Sequence, residues 1–217
     1  MVHMGPFTFL ILGSYLLGSF PTGYLVARAM GIDLRTVGSG NIGATNAFRI
    51  LGKGPGASVL LIDAFKGFLA CVGMPYLARR LGWVEADVSP TFADWMAIAA
   101  GVSAVLGHNY TCWLKFKGGK GIATSAGVLL ALVPLAFVGV LIVFLIVFGL
   151  SRYVSLGSLA AAALLPVITW LTGGSGTLIG MTSFLSALAI YKHRANISRL
   201  MQGTENRIGA KPKEAGK

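Results

Sequence analysis

The sequence predicts an all-α integral membrane protein with seven transmembrane helices, its N-terminus outside and its C-terminus cytoplasmic. Three observations predict it. The 217 residues are 55% hydrophobic and only 12% charged, against about 25% charged in soluble domains. Apolar stretches long enough to cross a hydrocarbon core of about 30 Å recur almost from end to end. The basic residues segregate to alternate loops, as the positive-inside rule requires. The whole chain, 1–217, reads as one membrane domain with no linker.

The first span is expected at about 6–27, ending at Arg28; no positively charged n-region precedes it, so it reads as a retained helix. The second covers about 55–78, before Arg79 and Arg80, and the third about 92–107. The stretch 122–150 is ambiguous. As one helix it would be about 43 Å long, too long for one crossing and short for two. Pro134 near its middle predicts a turn, giving spans at 122–133 and 135–150. The last two spans are expected at 154–171 and 177–191. Charge decides the parity. With seven spans the inside holds Arg28, Arg35, Arg49, Lys53, Lys115, Lys117, Lys120, Arg152 and the basic tail, and the outside only Arg79 and Arg80. A single span over 122–150 would move the tail outside and erase the bias.

The formal net charge of +11 fits cytoplasmic loops facing anionic lipid. No soluble basic domain is available to bind nucleic acid, so that class is excluded. Cys71 and Cys112 suggest neither a disulfide framework nor a metal site. No metal and no other cofactor is expected, because no cluster of carboxylates or histidines stands at ligand spacing.

Polar segments then fall on one side of the membrane. The first is GSGNIGATNAFR, residues 38–49. Its glycines let backbone N–H groups converge on an anion. Ser39, Asn41, Thr45 and Asn46 add neutral polar groups, and Arg49 adds a planar cationic fork. The run Gly38–Gly43 matches G-x-G-x-x-G formally, but it follows a membrane helix and not a strand, so a dinucleotide fold is rejected. The second segment, GHNYTCWLKFKGGKGIAT at 107–124, sets Lys115, Lys117 and Lys120 among glycines just before a helix. A helix N-terminus with lysines nearby suits an anion. It is not a Walker A loop, since Gly121 and not Ser or Thr follows Lys120. Within the second span, Asp63 and Lys66 share a helix face and read as an ion pair of structural role. In the tail, His193 and Asn196 stand at i, i+3, and Glu205 is expected to pair with an arginine.

Two basic, glycine-rich loops imply a phosphorylated ligand, and the apolar body implies a lipid. Two classes stay open on the residues alone: an enzyme that transfers a group between a soluble phosphate compound and a lipid, or a transporter for a phosphorylated organic anion. Transporters place their site at midplane, often between repeats. Motifs at one face, with no repeat, favour the enzyme.

Taken in order, GSGNIGATNAFR, DAFKG, GHNYTCWLKFKGGKGIAT, RYVSLGS and KHRANISRLMQGTENRIG resemble the acyl-phosphate:glycerol-3-phosphate acyltransferases, the PlsY family. The resemblance implies seven spans in the bacterial cytoplasmic membrane, with the motifs facing the cytoplasm. It implies transfer of a fatty acyl group from acyl phosphate to glycerol 3-phosphate, giving lysophosphatidic acid and phosphate for phospholipid synthesis. It places Ser39 and Arg49 at the essential Ser and Arg of the first motif, and Gly118, Gly119, Lys120 and Gly121 in the glycerol 3-phosphate loop, with Lys117 a phosphate contact. Gly40, Asn41, Thr45 and Asn46 join the binding set. Ser155 matches a polar position of the active-site region, and His193, Asn196 and Glu205 match the third motif. The chain carries Ala195 where many relatives carry Glu, and Tyr110-Thr111 where an aromatic-Pro pair is common. A soluble partner enzyme that makes the acyl phosphate is implied by the same analogy. The His-x4-Asp motif of other glycerolipid acyltransferases is absent from His3, His108 and His193.

Overall fold

A computed structural model describes residues 4–84 and 88–209. His3 and the tail lysines Lys211, Lys213 and Lys217 lie outside the described residues. The described chain is helical: α1 Met4–Ser19, α2 Thr22–Ala29, α3 Ala44–Leu51, α4 Lys53–Arg80, α5 Pro90–Asn109, a single 3-10 turn at Cys112–Leu114, α6 Ile122–Leu132, α7 Pro134–Ser151, α8 Val154–Leu171, α9 Gly176–Lys192 and α10 Arg194–Met201. Among the described residues, five helical stretches are long and apolar enough to cross a membrane: Phe7–Ala29, Lys53–Arg80, Pro90–Leu114, Pro134–Ser151 and Val154–Leu171. Ile122–Leu132 is a shorter apolar helix.

The side-chain distribution is inverted relative to a soluble protein. Leu61, Phe65, Leu135 and Leu150 are exposed, while Ser14, Ser19, Thr22, Asp63, Lys66, Ser103 and His108 are buried. Large apolar groups facing outwards and polar groups facing inwards are what lipid as solvent selects.

The chain forms two compact units divided after Pro134. In the first, α4 is central: α3, α5 and α6 pack on it, and α1 packs on α5. Small residues allow the close crossings. A Cβ at Gly67 would meet the Thr124 carbonyl, and one at Gly127 the Ala64 carbonyl, so α4 and α6 touch backbone to backbone. With no hydrophobic drive between helices in lipid, such close packing holds the bundle.

The first expected span is broken. Pro21 (φ −88°, ψ 67°) makes an inverse γ-turn between α1 and α2, with Thr22 N–H donating to the Phe20 carbonyl at 3.0 Å. Freed carbonyls at membrane depth need donors. Here Thr111 Oγ1 donates to the Ser19 carbonyl at 2.6 Å and Lys66 Nζ to the Phe20 carbonyl at 2.9 Å. Pro134 behaves as its chemistry predicts: α6 ends at Leu132 and α7 begins at Pro134.

In the second unit α8 packs on α9, and α9 turns into α10 at His193. Ser175 caps α9 by accepting from Leu178 N–H. After α10 the chain returns to the turn that precedes α8. Arg207 Nε donates to the Ser151 carbonyl and Ile208 N–H to the Arg152 carbonyl, each at 3.0 Å. Arg152 stands in a left-handed conformation, φ 63°.

Candidate active site

The predicted residues fall into three groups, two in the first unit and one in the second. The first is the loop 31–43 and the helix α3 that follows. Gly38 and Gly40 hold left-handed conformations, φ 61° and 69°, which glycine tolerates without steric cost. Asn46 pins the loop. Its Oδ1 accepts from Ser39 N–H at 3.0 Å, and its Nδ2 donates to the carbonyls of Leu34 and Val37 at 3.3 and 3.1 Å. Asn41 Oδ1 accepts from Gly43 N–H at 2.8 Å, an Asx turn leading into α3. These two asparagines, expected to contact ligand, shape the backbone through their amides. Ser39, Gly40, Thr45 and Arg49 are exposed. Nearby, Arg35 grips Asp33 through Nη2 at 2.6 Å. That hydrogen bond holds the Asp33 carboxyl down at about 2.

The second group is the loop 110–121. Gly118 N–H donates to the Asn109 carbonyl at 3.2 Å and Gly119 N–H to the His108 carbonyl at 3.0 Å. The loop thus folds back on the end of α5. The glycines are required there: a Cβ at Gly118 would meet the His108 carbonyl, and one at Gly119 the His108 imidazole. Gly121 (φ 81°) turns the chain into α6. The first N–H groups of a helix lack intrahelical partners, so the α6 N-terminus presents donors next to Lys117, which is exposed, and Lys120, which is partly buried. Lys115 and Phe116 are both left-handed, φ 53° and 60°. Two consecutive non-glycine residues in that region store strain, a feature concentrated at functional sites. Neither the strain nor its position was legible beforehand, because β-turn statistics do not favour Lys-Phe there.

Behind this loop, Asp63 Oδ1 accepts from Thr22 Oγ1 at 3.0 Å and from Lys66 Nζ at 2.9 Å. His108 Nδ1 lies 3.6 Å from the same oxygen. The expected Asp63–Lys66 pair therefore forms, with two further members. Thr22 and His108 had no assigned role; Pro21 directly before Thr22 was the available signal for a helix break there.

The third group gathers around Glu205. Its Oε1 accepts from Ser155 Oγ at 3.0 Å and Asn196 Nδ2 at 2.7 Å, and its Oε2 accepts from Arg199 Nε at 2.7 Å. Arg199 is the arginine partner expected for it. Burial is the largest single influence on Glu205 and raises its pKa. The hydrogen bonds from Asn196, Arg199 and Ser155, with the Arg199 charge, together outweigh it, and the carboxyl sits below the ordinary Glu value. Ser155 and Asn196 therefore serve this carboxylate. His193 is buried at the α9–α10 junction, its Nδ1 2.8 Å from the Ala189 carbonyl. A carbonyl only accepts, so Nδ1 carries the hydrogen and the basic lone pair of the neutral ring is on Nε2.

The sequence and fold match known proteins along nearly their whole length. The model of the glycerol-3-phosphate acyltransferase family matches residues 8–203. A glycerol-3-phosphate acyltransferase of Geobacter sulfurreducens is 46% identical over 197 residues, covering 91% of this chain and 95% of that protein. One from Myxococcus xanthus is 48% identical over 200 residues, covering 92% and 98%. The fold is similar to crystal structures of PlsY, an integral membrane glycerol 3-phosphate acyltransferase. The glycerol 3-phosphate form has a TM-score of 0.83 at 38% identity, covering 94% of this chain and 96% of that one. The lysophosphatidic acid form has a TM-score of 0.80 at 36% identity, covering 94% and 95%.

Proposed function

Since the chain belongs to the glycerol-3-phosphate acyltransferase family, we propose that it acylates glycerol 3-phosphate to lysophosphatidic acid, with an acyl phosphate as donor. The observation that carries this reading is the 118–121 loop, which is closed by backbone bonds onto α5 and opens into the α6 N-terminus beside Lys117 and Lys120. Relatives solved with glycerol 3-phosphate and with lysophosphatidic acid supply the substrate and product. The protein is a multi-pass membrane protein. Seven spans, N-terminus outside, with the motifs at the cytoplasmic face of the bacterial inner membrane, is the topology we propose; the charge bias of the loops supports it. A soluble enzyme that makes acyl phosphate belongs to the same proposal.

In this mechanism Arg49, Lys117 and Lys120 hold phosphate groups, and Ser39 orients the reacting groups. The glycerol 3-phosphate hydroxyl oxygen attacks the acyl carbonyl carbon. The bond from that carbon to the donor phosphate oxygen breaks, and inorganic phosphate leaves with the electron pair. The hydroxyl proton passes to His193 Nε2 or to a substrate phosphate oxygen. Acyl phosphate is already activated, so the protein contributes mainly proximity and stabilisation of developing negative charge. Asn196 and Ser155 act as positioning groups through Glu205.

The test supplies purified protein with glycerol 3-phosphate and palmitoyl phosphate, with palmitoyl-CoA in parallel. Equal amounts of phosphate and lysophosphatidic acid from the acyl phosphate alone are expected. Product from the thioester alone overturns the donor, and no product from either overturns the reaction. His193→Ala then decides the base: loss of on the order of 100-fold or more in kcat/KM, with the acidic limb of its pH profile gone, is expected if His193 takes the proton.

A further inference from the structure

We propose that the buried Asp63–Lys66 pair positions the 118–121 loop through His108, and so sets affinity for the phosphate of glycerol 3-phosphate. The proposal rests on the acyltransferase reading for its substrate. Both side chains are buried, 2% and 5% exposed. A buried ion pair is poor evidence of a stabilising role, since apolar residues of similar volume often serve stability as well or better. What the charges touch is more telling. Asp63 Oδ1 takes hydrogen bonds from Lys66 Nζ and Thr22 Oγ1, and His108 Nδ1 faces it at 3.6 Å. The His108 ring lies where a Gly119 side chain would be, and the His108 carbonyl accepts from Gly119 N–H at 3.0 Å. One residue thus supports the loop with both its ring and its backbone, and the carboxylate faces the ring's Nδ1 while Gly119 stands at its Nε2. Lys66 extends the same device to the chain break by donating to the Phe20 carbonyl at 2.9 Å. From there α2 leads to the first loop, packing so closely that a Cβ at Gly23 would meet the Ile42 carbonyl. The hydrogen bonds of Asp63 and Lys66 go to each other, to Thr22 and to the Phe20 carbonyl, so they act on the loop as positioning residues.

The test compares wild type with Asp63→Asn/Lys66→Met, which removes both charges and strands neither, and with His108→Gln, which leaves the pair intact. Amide hydrogen exchange over 117–121, thermal unfolding, and KM for each substrate are measured on the full-length protein. In both variants exchange at Gly118 and Gly119 is expected to rise. KM for glycerol 3-phosphate should rise on the order of 10- to 100-fold, with the KM for the acyl donor little changed. A folded double variant with wild-type exchange and wild-type KM overturns the proposal. Should the double variant fail to fold, His108→Gln decides: normal exchange and KM there sink it equally. If wild type makes no lysophosphatidic acid, the acyltransferase reading fails, while the exchange comparison still decides whether the pair positions the loop.

Discussion

The 118–121 loop of the first unit and the Glu205 cluster of the second reach order by opposite means. The 118–121 loop is shaped by backbone: main-chain hydrogen bonds to His108 and Asn109, and glycines with no room for a Cβ. The cations Arg49 and Lys117 stay exposed. Around Glu205 the order comes from side chains, with Ser155, Asn196 and Arg199 converging on one carboxylate. The difference teaches where ligand chemistry and scaffold chemistry reside. A region whose shape needs no cationic side chain can spend those cations on phosphate, whereas a region held by its polar side chains has committed them.

The comparison breaks most sharply at Gly119. Gly119→Ala places a methyl against the His108 imidazole, so kcat/KM should fall on the order of 100-fold, read from initial rates against glycerol 3-phosphate. Full activity would show that backbone shape is not what the loop supplies.

Next comes Glu205→Gln, where the expected loss is in stability. Charge-assisted hydrogen bonds contribute about 1.5–3 kcal/mol each, so the variant should lose stability of that order, read as a lower unfolding temperature. Its pH dependence has a definite sign. The folded pKa lies below the ordinary value of 4.5, so the contribution is complete above that value and is lost as pH falls through the depressed folded pKa. Wild-type unfolding temperature should therefore drop below about pH 4.5, and the gap to Glu205→Gln should narrow there. A gap independent of pH would remove the carboxylate from its central place.

Asn46→Ala probes the exception, a side chain that orders the first loop. It removes three hydrogen bonds to backbone. A cost of about 1–3 kcal/mol is expected from the groups left unpaired, with a higher KM for substrate, by thermal unfolding and steady-state kinetics. Smallest is Asp33→Asn. Its carboxyl is held at about 2 by Arg35, yet the pair is solvent-exposed, and such pairs contribute little to stability. Unchanged turnover and a barely moved unfolding temperature are expected. A large loss of activity would place Asp33 among the groups that shape the first loop for ligand.

Composition and apolar run length were enough to read an all-helical membrane protein, since lipid leaves few other ways to satisfy a backbone. Glycine, lysine and arginine clusters marked the two loops proposed to bind anions, because their chemistry is local and survives any packing. Pro134 marked a real helix boundary for the same reason. The left-handed Lys115 and Phe116, the meeting of Asp63 with Thr22 and His108, and the convergence of Ser155 and Asn196 on Glu205 were decided by tertiary structure alone. Each joins groups dozens of residues apart or a backbone conformation that neighbours must enforce, and residue order carries neither. Asn46 shows the boundary most plainly. Its identity announced a polar role, but only the fold could show that its amide serves the chain itself, because the carbonyls of Leu34 and Val37 reach it only once α3 has packed.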